Sequence, residues 1–246
     1  MAHPDGRVDI EARPFPLTID PRTTAVIVVD MQQGFVGAGG WWDRWGVAVS
    51  GAQAVIAPIA RVLGAARRAG TRVIYLTMDL AGADEASRGS QRLAYYFAHY
   101  GALSEPPFPR EDSPLTDSDI LPELAPEPGE MRVVKPEHSG FYETNLHALL
   151  QEAGITTLVF TGCTTSVCVE STLRDAYFRG YECLLLSDCT AEPVGNQLPR
   201  TNHEATLLLV ELIFGSITDS EALIQALIEH PDIPATAASP AGSLSE

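Results

Sequence analysis

Five stretches of this chain carry apolar residues without alternation. They are 23–30 (TTAVIVVD), 71–78 (TRVIYLTM), 131–135 (MRVVK), 155–162 (ITTLVFTG) and 181–188 (YECLLLSD). Short, β-branched runs of this kind predict strands covered on both faces. A sixth, weaker strand is predicted over 212–218 (LIFGSIT). Between the runs the apolar spacing becomes helical. Segments 50–70, 143–154 and 166–180 each end in a glycine (Gly70, Gly154, Gly180) at a C-cap position. Two more helices are predicted near 201–212 and 219–229.

Strands alternating with helices predict the α/β class, with a Rossmann-like, mostly parallel six-stranded sheet between helices. The expected organisation is one domain over 21–232, preceded by an arm at 1–20. Residues 79–129 form an insertion with its own helix near QRLAYYFAHYG, and 233–246 (small and polar) a disordered tail.

Composition narrows the class. The chain has 246 residues, 45% hydrophobic and 20% charged, as expected of a globular protein with a full core. Its formal charge of −16 repels phosphate backbones, which argues against a nucleic-acid partner. The start, MAHPDGRVDI, has neither the basic residues nor the apolar run of a signal peptide, and the apolar runs are too short to span a membrane. The expected location is the cytoplasm, where thiols stay reduced.

Ligands of open parallel sheets sit at the carboxyl ends of strands. Asp30 closes the first predicted strand, Lys135 closes the third, and Cys168 lies in the turn and first helical residues after the fourth. A Cys163–Cys168 disulfide fits neither a reducing compartment nor a strand-to-helix turn. A zinc site lacks CxxC and HxxxH pairs. Cys183, inside an apolar run, reads as a small core residue, and Cys189, just past it, as structural. Two readings of Cys168 remain. It is an inert packed thiol, or a nucleophile whose thiolate is favoured by the helix start, with Thr164, Thr165 and Ser166 as caps.

The motifs VVDMQQGF (28–35), VVKPEHSGF (133–141) and FTGCTTSVCVESTLRDA (160–176) together resemble the isochorismatase-like cysteine hydrolases. This superfamily includes nicotinamidases, N-carbamoylsarcosine amidase, biuret hydrolase and ureidoacrylate amidohydrolases. The resemblance runs from about Pro21 to about Leu227. It implies a three-layer α/β/α sandwich and a catalytic triad of Asp30, Lys135 and Cys168. It also implies a cis peptide between Cys163 and Thr164, with the backbone N–H groups of Thr164 and Cys168 forming an oxyanion hole. Cys163 stands where relatives usually carry a small aliphatic residue, and is expected to fill the same space.

The implied activity is cleavage of a small amide or ureido C–N bond through a thioester, without metal or cofactor, by a homodimer or homotetramer. Isochorismatases that cleave a vinyl ether lack the cysteine. The metal-binding element of nicotinamidases is incomplete here, since Asp79 is followed by no histidine until His99. The alternatives are a nicotinamidase-like amidase and a non-catalytic, redox-sensing member of the fold. Candidate substrate contacts are Phe35, Trp41, Trp42, His138, Phe141 and Tyr142, all near the strand ends.

Overall fold

The computed structural model describes residues 3, 5–83, 91, 95, 115–193, 195 and 199–228. The strands are β1 (Val8–Ile10), β2 (Leu17–Ile19), β3 (Thr24–Val29), β4 (Arg72–Thr77), β5 (Met131–Val134), β6 (Thr157–Cys163), β7 (Glu182–Ala191) and β8 (Ser216–Thr218). Short helical segments α1 (Gln33–Val36), α2 (Trp41–Arg44) and α3 (Ser50–Ala54) follow β3. The longer helices are α4 (Ile56–Arg68), α5 (Leu146–Glu152), α6 (Glu170–Phe178), α7 (Asn202–Leu209) and α8 (Ser220–Ile228).

The main sheet has the order β5-β4-β3-β6-β7-β8, and every neighbouring pair is parallel. The continuous apolar runs are explained by two cores on opposite faces. Val26 and Val28 of β3 face one core, with Ile59 and Leu63 of α4 and Leu223 and Leu227 of α8. Ala25, Ile27 and Val29 face the other, with Leu146 and Leu150 of α5 and Leu173 and Ala176 of α6.

Strand order reverses between β3 and β6, the switch point at which such sheets open a crevice. There the backbones approach closely. Gly162 has φ 110°, and a Cβ on it would lie 2.1 Å from the Val29 carbonyl oxygen. Beside it, the register of β6 against β7 shifts between Phe160 and Gly162.

Several boundaries differ from expectation. Only Ser216–Thr218 of the sixth run is a strand, because Val210–Phe214 continues α7 as a π-helical turn. β7 runs on to Ala191 and so contains Cys189. The N-terminal residues include an antiparallel β1–β2 pair whose Val8, Ile10 and Ile19 join the first core. The end of the 79–129 segment seats on the residues after β3. There Gln33 and Gly34 donate their N–H groups to the carbonyls of Asp119 and Asp117, and Arg44 pairs with Asp117 at 2.6 Å. Most of the helix expected near 91–101 and the whole 233–246 tail lie outside the described residues.

Candidate active site

Asp30 leaves β3 with φ 52°, a left-handed conformation uncommon for a residue with a side chain. Neighbouring elements impose it. Its N–H donates to the Leu76 carbonyl at 2.9 Å, and its own carbonyl accepts from the Gln32 N–H at 2.8 Å and the Cys163 thiol at 3.3 Å. Buried Gln32 locks the loop, donating to the carbonyls of Met78 and Ser118 and accepting the Met78 N–H.

Lys135 follows β5, two strands from β3. Its Nζ lies 2.8 Å from Asp30 Oδ2, with both side chains sealed from solvent. The same carboxyl group also faces the Cys168 sulfur. The ammonium also donates to the Glu137 carbonyl at 3.2 Å.

Cys168 completes the group. It lies not at the start of the α-helix but in a π-helical turn, Thr165–Val169, that precedes α6. The sulfur interacts with both Asp30 and Lys135, and lies 3.5 Å from His138 Nδ1. The peptide between Cys163 and Thr164 is cis.

Burial pushes the Asp30 carboxyl above the usual carboxylate range, against the pull of Lys135. Burial opposes the Lys135 ammonium, but the attraction of Asp30 and Cys168 outweighs it and holds the group above its ordinary value. Burial first, and the Asp30 charge second, push the Cys168 thiol well up, with Lys135 opposing. The helix start was expected to favour the thiolate. Burial works against that, and favours the thiol form of Cys168. Buried Cys163 is raised for the same leading reason.

The other expected contacts divide. His138 is at the sulfur. Phe35 packs edge-on against Trp41 and Trp42, with centroids 5.7 and 5.0 Å apart, as part of the first core. Phe141 stacks on Tyr181, the residue before β7, at 6.1 Å and carries the Arg179 guanidinium over its ring at 4.8 Å. Tyr142 is half exposed and interacts with Glu143. Asp79 accepts the Ala81 N–H and a long 3.4 Å bond from Ser118. Among the described residues no three His, Cys, Asp or Glu side chains gather as a metal site requires, and no helix is long and apolar enough to cross a membrane.

Sequence reasoning missed two ties on the cysteine turn. Ser166 donates to buried Glu192, and the Thr165 hydroxyl lies 3.0 Å from His203 Nδ1.

The family model described as the isochorismatase domain matches residues 24–222. This chain belongs to the isochorismatase family. Among its relatives, the ureidoacrylate amidohydrolase RutB of Methylobacterium radiotolerans is 39% identical over 229 residues, covering 90% of this chain and 86% of the relative. The RutB of Stutzerimonas stutzeri is 36% identical over 238 residues, covering 93% and 92%. Among solved structures, a cysteine hydrolase from Pseudomonas syringae pv. phaseolicola superposes with a TM-score of 0.67 at 29% identity, covering 86% of this chain and 95% of that one. The N-carbamoylsarcosine amidase of Thermoplasma acidophilum, at 23% identity and a TM-score of 0.58 over 81% of this chain and 97% of that one, shares the isochorismatase fold.

Proposed function

We propose that this protein is a cysteine-dependent amidohydrolase of small ureido compounds. It is a hydrolase of non-peptide C–N bonds, and ureidoacrylate is the favoured substrate type. The observation that carries this reading is the Asp30–Lys135 ion pair against the Cys168 thiol, in a chain 36–39% identical to ureidoacrylate amidohydrolases. Similarity to those relatives favours a ureido substrate over nicotinamide.

In this scheme the Cys168 thiol gives its proton to Asp30 as the sulfur attacks the substrate carbonyl carbon. Lys135 stays protonated and steadies the anionic sulfur. The backbone N–H groups of Thr164 and Cys168, on either side of the turn that Cys163 enters, receive the oxyanion. Such a donor typically contributes about 2.7–4 kcal/mol to the transition state. Asp30 then returns the proton to the departing nitrogen, and the C–N bond breaks. Ammonia or an amine leaves and the acyl group stays on sulfur as a thioester. A water gives its proton to Asp30 and attacks the thioester carbon. The C–S bond breaks, and the proton on Asp30 returns to the sulfur. Asp30 thus serves as base and then acid in each half of the cycle.

His138, at the sulfur, is placed to donate to the substrate, and Phe35, Trp41 and Trp42 supply an apolar wall beyond Asp30. The same reading includes a cytoplasmic homodimer or homotetramer working without metal or cofactor.

The test is a product-release screen across ureidoacrylate, biuret, carbamoyl amino acids, nicotinamide and simple amides, with Cys168→Ser as control. Ureido compounds should lead, and a quenched reaction should show an acyl adduct on Cys168 by mass spectrometry. Full turnover by Cys168→Ser would end this reading.

A further inference from the structure

We propose that Glu192 is the positioning residue of the nucleophile turn. Through Ser166 it holds the backbone before Cys168 at a fixed distance from Asp30. The inference rests on the reading of Cys168 as the nucleophile and adds a device to it.

Glu192 follows directly on β7, beside the end of β6, and is only 5% exposed. A carboxylate in such a place is costly unless its charge and hydrogen bonds are used. Its Oε2 accepts the Ser166 backbone N–H at 2.9 Å, and the same oxygen takes a short bond from the Ser166 hydroxyl. The turn lacks the usual local solution. Thr164 stands at its N-cap but makes no side-chain capping bond, although the first N–H groups of a helical turn need acceptors. The acceptor comes instead from another strand.

That choice has a mechanical consequence. A local cap would tie the turn to itself, whereas Glu192 ties it to the sheet. Thr165, the preceding residue, is tied separately to His203 of α7. Two consecutive residues, three and two positions before the sulfur, are thereby anchored to different elements. The sulfur and the Cys168 N–H ride on the anchored segment. Catalytic geometry is sensitive at this scale, since a misplacement of about 1 Å can cost about 100-fold in rate.

Two substitutions separate reach from charge. Both bonds land on one oxygen, so Glu192→Gln keeps an acceptor of the right length and loses the charge. Glu192→Asp keeps the charge and falls one methylene short. With ureidoacrylate as the probe and the full chain, Glu192→Gln should keep kcat within about 5-fold, while Glu192→Asp loses about 20-fold or more, both at little-changed KM. Iodoacetamide labelling of Cys168 needs no turnover and follows the same order. Glu192→Asp should alter the labelling rate by about 5-fold or more, and Glu192→Gln by less than about 2-fold.

Equal kcat and equal labelling in wild type and Glu192→Asp would overturn the proposal. So would a Glu192→Gln variant slower than Glu192→Asp, or a loss carried wholly in KM, which would make Glu192 a substrate contact. If the wild type leaves ureidoacrylate intact, the substrate assignment fails and the labelling series alone decides the role of Glu192.

Discussion

Lys135 reaches over a whole strand to Asp30: its Nζ lies 2.8 Å from Oδ2, although β4 stands between β5 and β3. Two strand spacings are about 9.5 Å. The four-carbon lysine stem, the 2.8 Å contact and the aspartate side chain together bridge that gap, and the ammonium acts as a point charge where the planar arginine fork would be a different ligand. The pair is buried and mutually dependent, which makes it a direct handle on both stability and chemistry.

Lys135→Met should therefore strand the Asp30 carboxyl in a dry site. Removing one member of a buried pair typically costs about 3–5 kcal/mol. Denaturant unfolding at neutral pH should show a loss of that order, with hydrolysis abolished. An unchanged unfolding midpoint would mean that the buried pair adds nothing to stability.

The pH dependence of kcat/KM follows from the two raised groups. Below the folded-state pKa of Asp30 the carboxyl already holds a proton and cannot take one from the thiol. Because burial raises that pKa, activity should start to fall on the acid side above the pH of an ordinary aspartate, which titrates near about 3.9. Lys135 is also raised, so loss of its charge should limit activity only above the ordinary lysine range. The groups interact, so both limbs belong to the cluster rather than to single residues. An acid limb at or below the ordinary aspartate value contradicts the scheme.

Asp30→Asn should separate sulfur reactivity from turnover. The Asp30 charge is one of the causes that raise the Cys168 thiol, while Lys135 opposes it. With the carboxylate gone and the ammonium left, the thiol pKa falls. Iodoacetamide should then label Cys168 faster than in wild type at neutral pH, while hydrolysis stops for want of a base. Slower labelling would show that Asp30 promotes the thiolate even at rest.

Phe141→Leu tests whether that ring packs the fold or contacts substrate. The change loses the stack on Tyr181 and the contact with Arg179, at about 1 kcal/mol. Thermal unfolding should register it while KM stays at the wild-type value. A KM increase with unchanged stability would return Phe141 to the pocket.

The sheet and the three strand-end residues were legible because both depend on local pattern. Strands with two buried faces leave unbroken apolar runs; Asp30 and Lys135 sit where such runs stop, and Cys168 in the turn that follows one. Side-chain direction was not legible. Phe141 is six residues past Lys135, yet its ring packs on Tyr181 at the start of β7. The π-helical turns at Thr165–Val169 and Val210–Phe214 were invisible because they differ from an α-helix by one residue per turn, which apolar spacing does not resolve. Ser166 and Glu192 are 26 positions apart and meet where the ends of β6 and β7 pair, a relationship that no short motif records.

The reversal of strand order between β3 and β6 also shapes how this protein is made. A growing chain delivers its acid first, its ammonium about a hundred residues later and its sulfur last. The acid and the ammonium can meet across β4, but the sulfur joins them only when β6 slots in beside β3. Such distant closures are slow to form. A form cut short before Cys168 thus carries the acid and the ammonium without the sulfur, so hydrolysis itself reports that β6 and the turn after it have joined the sheet.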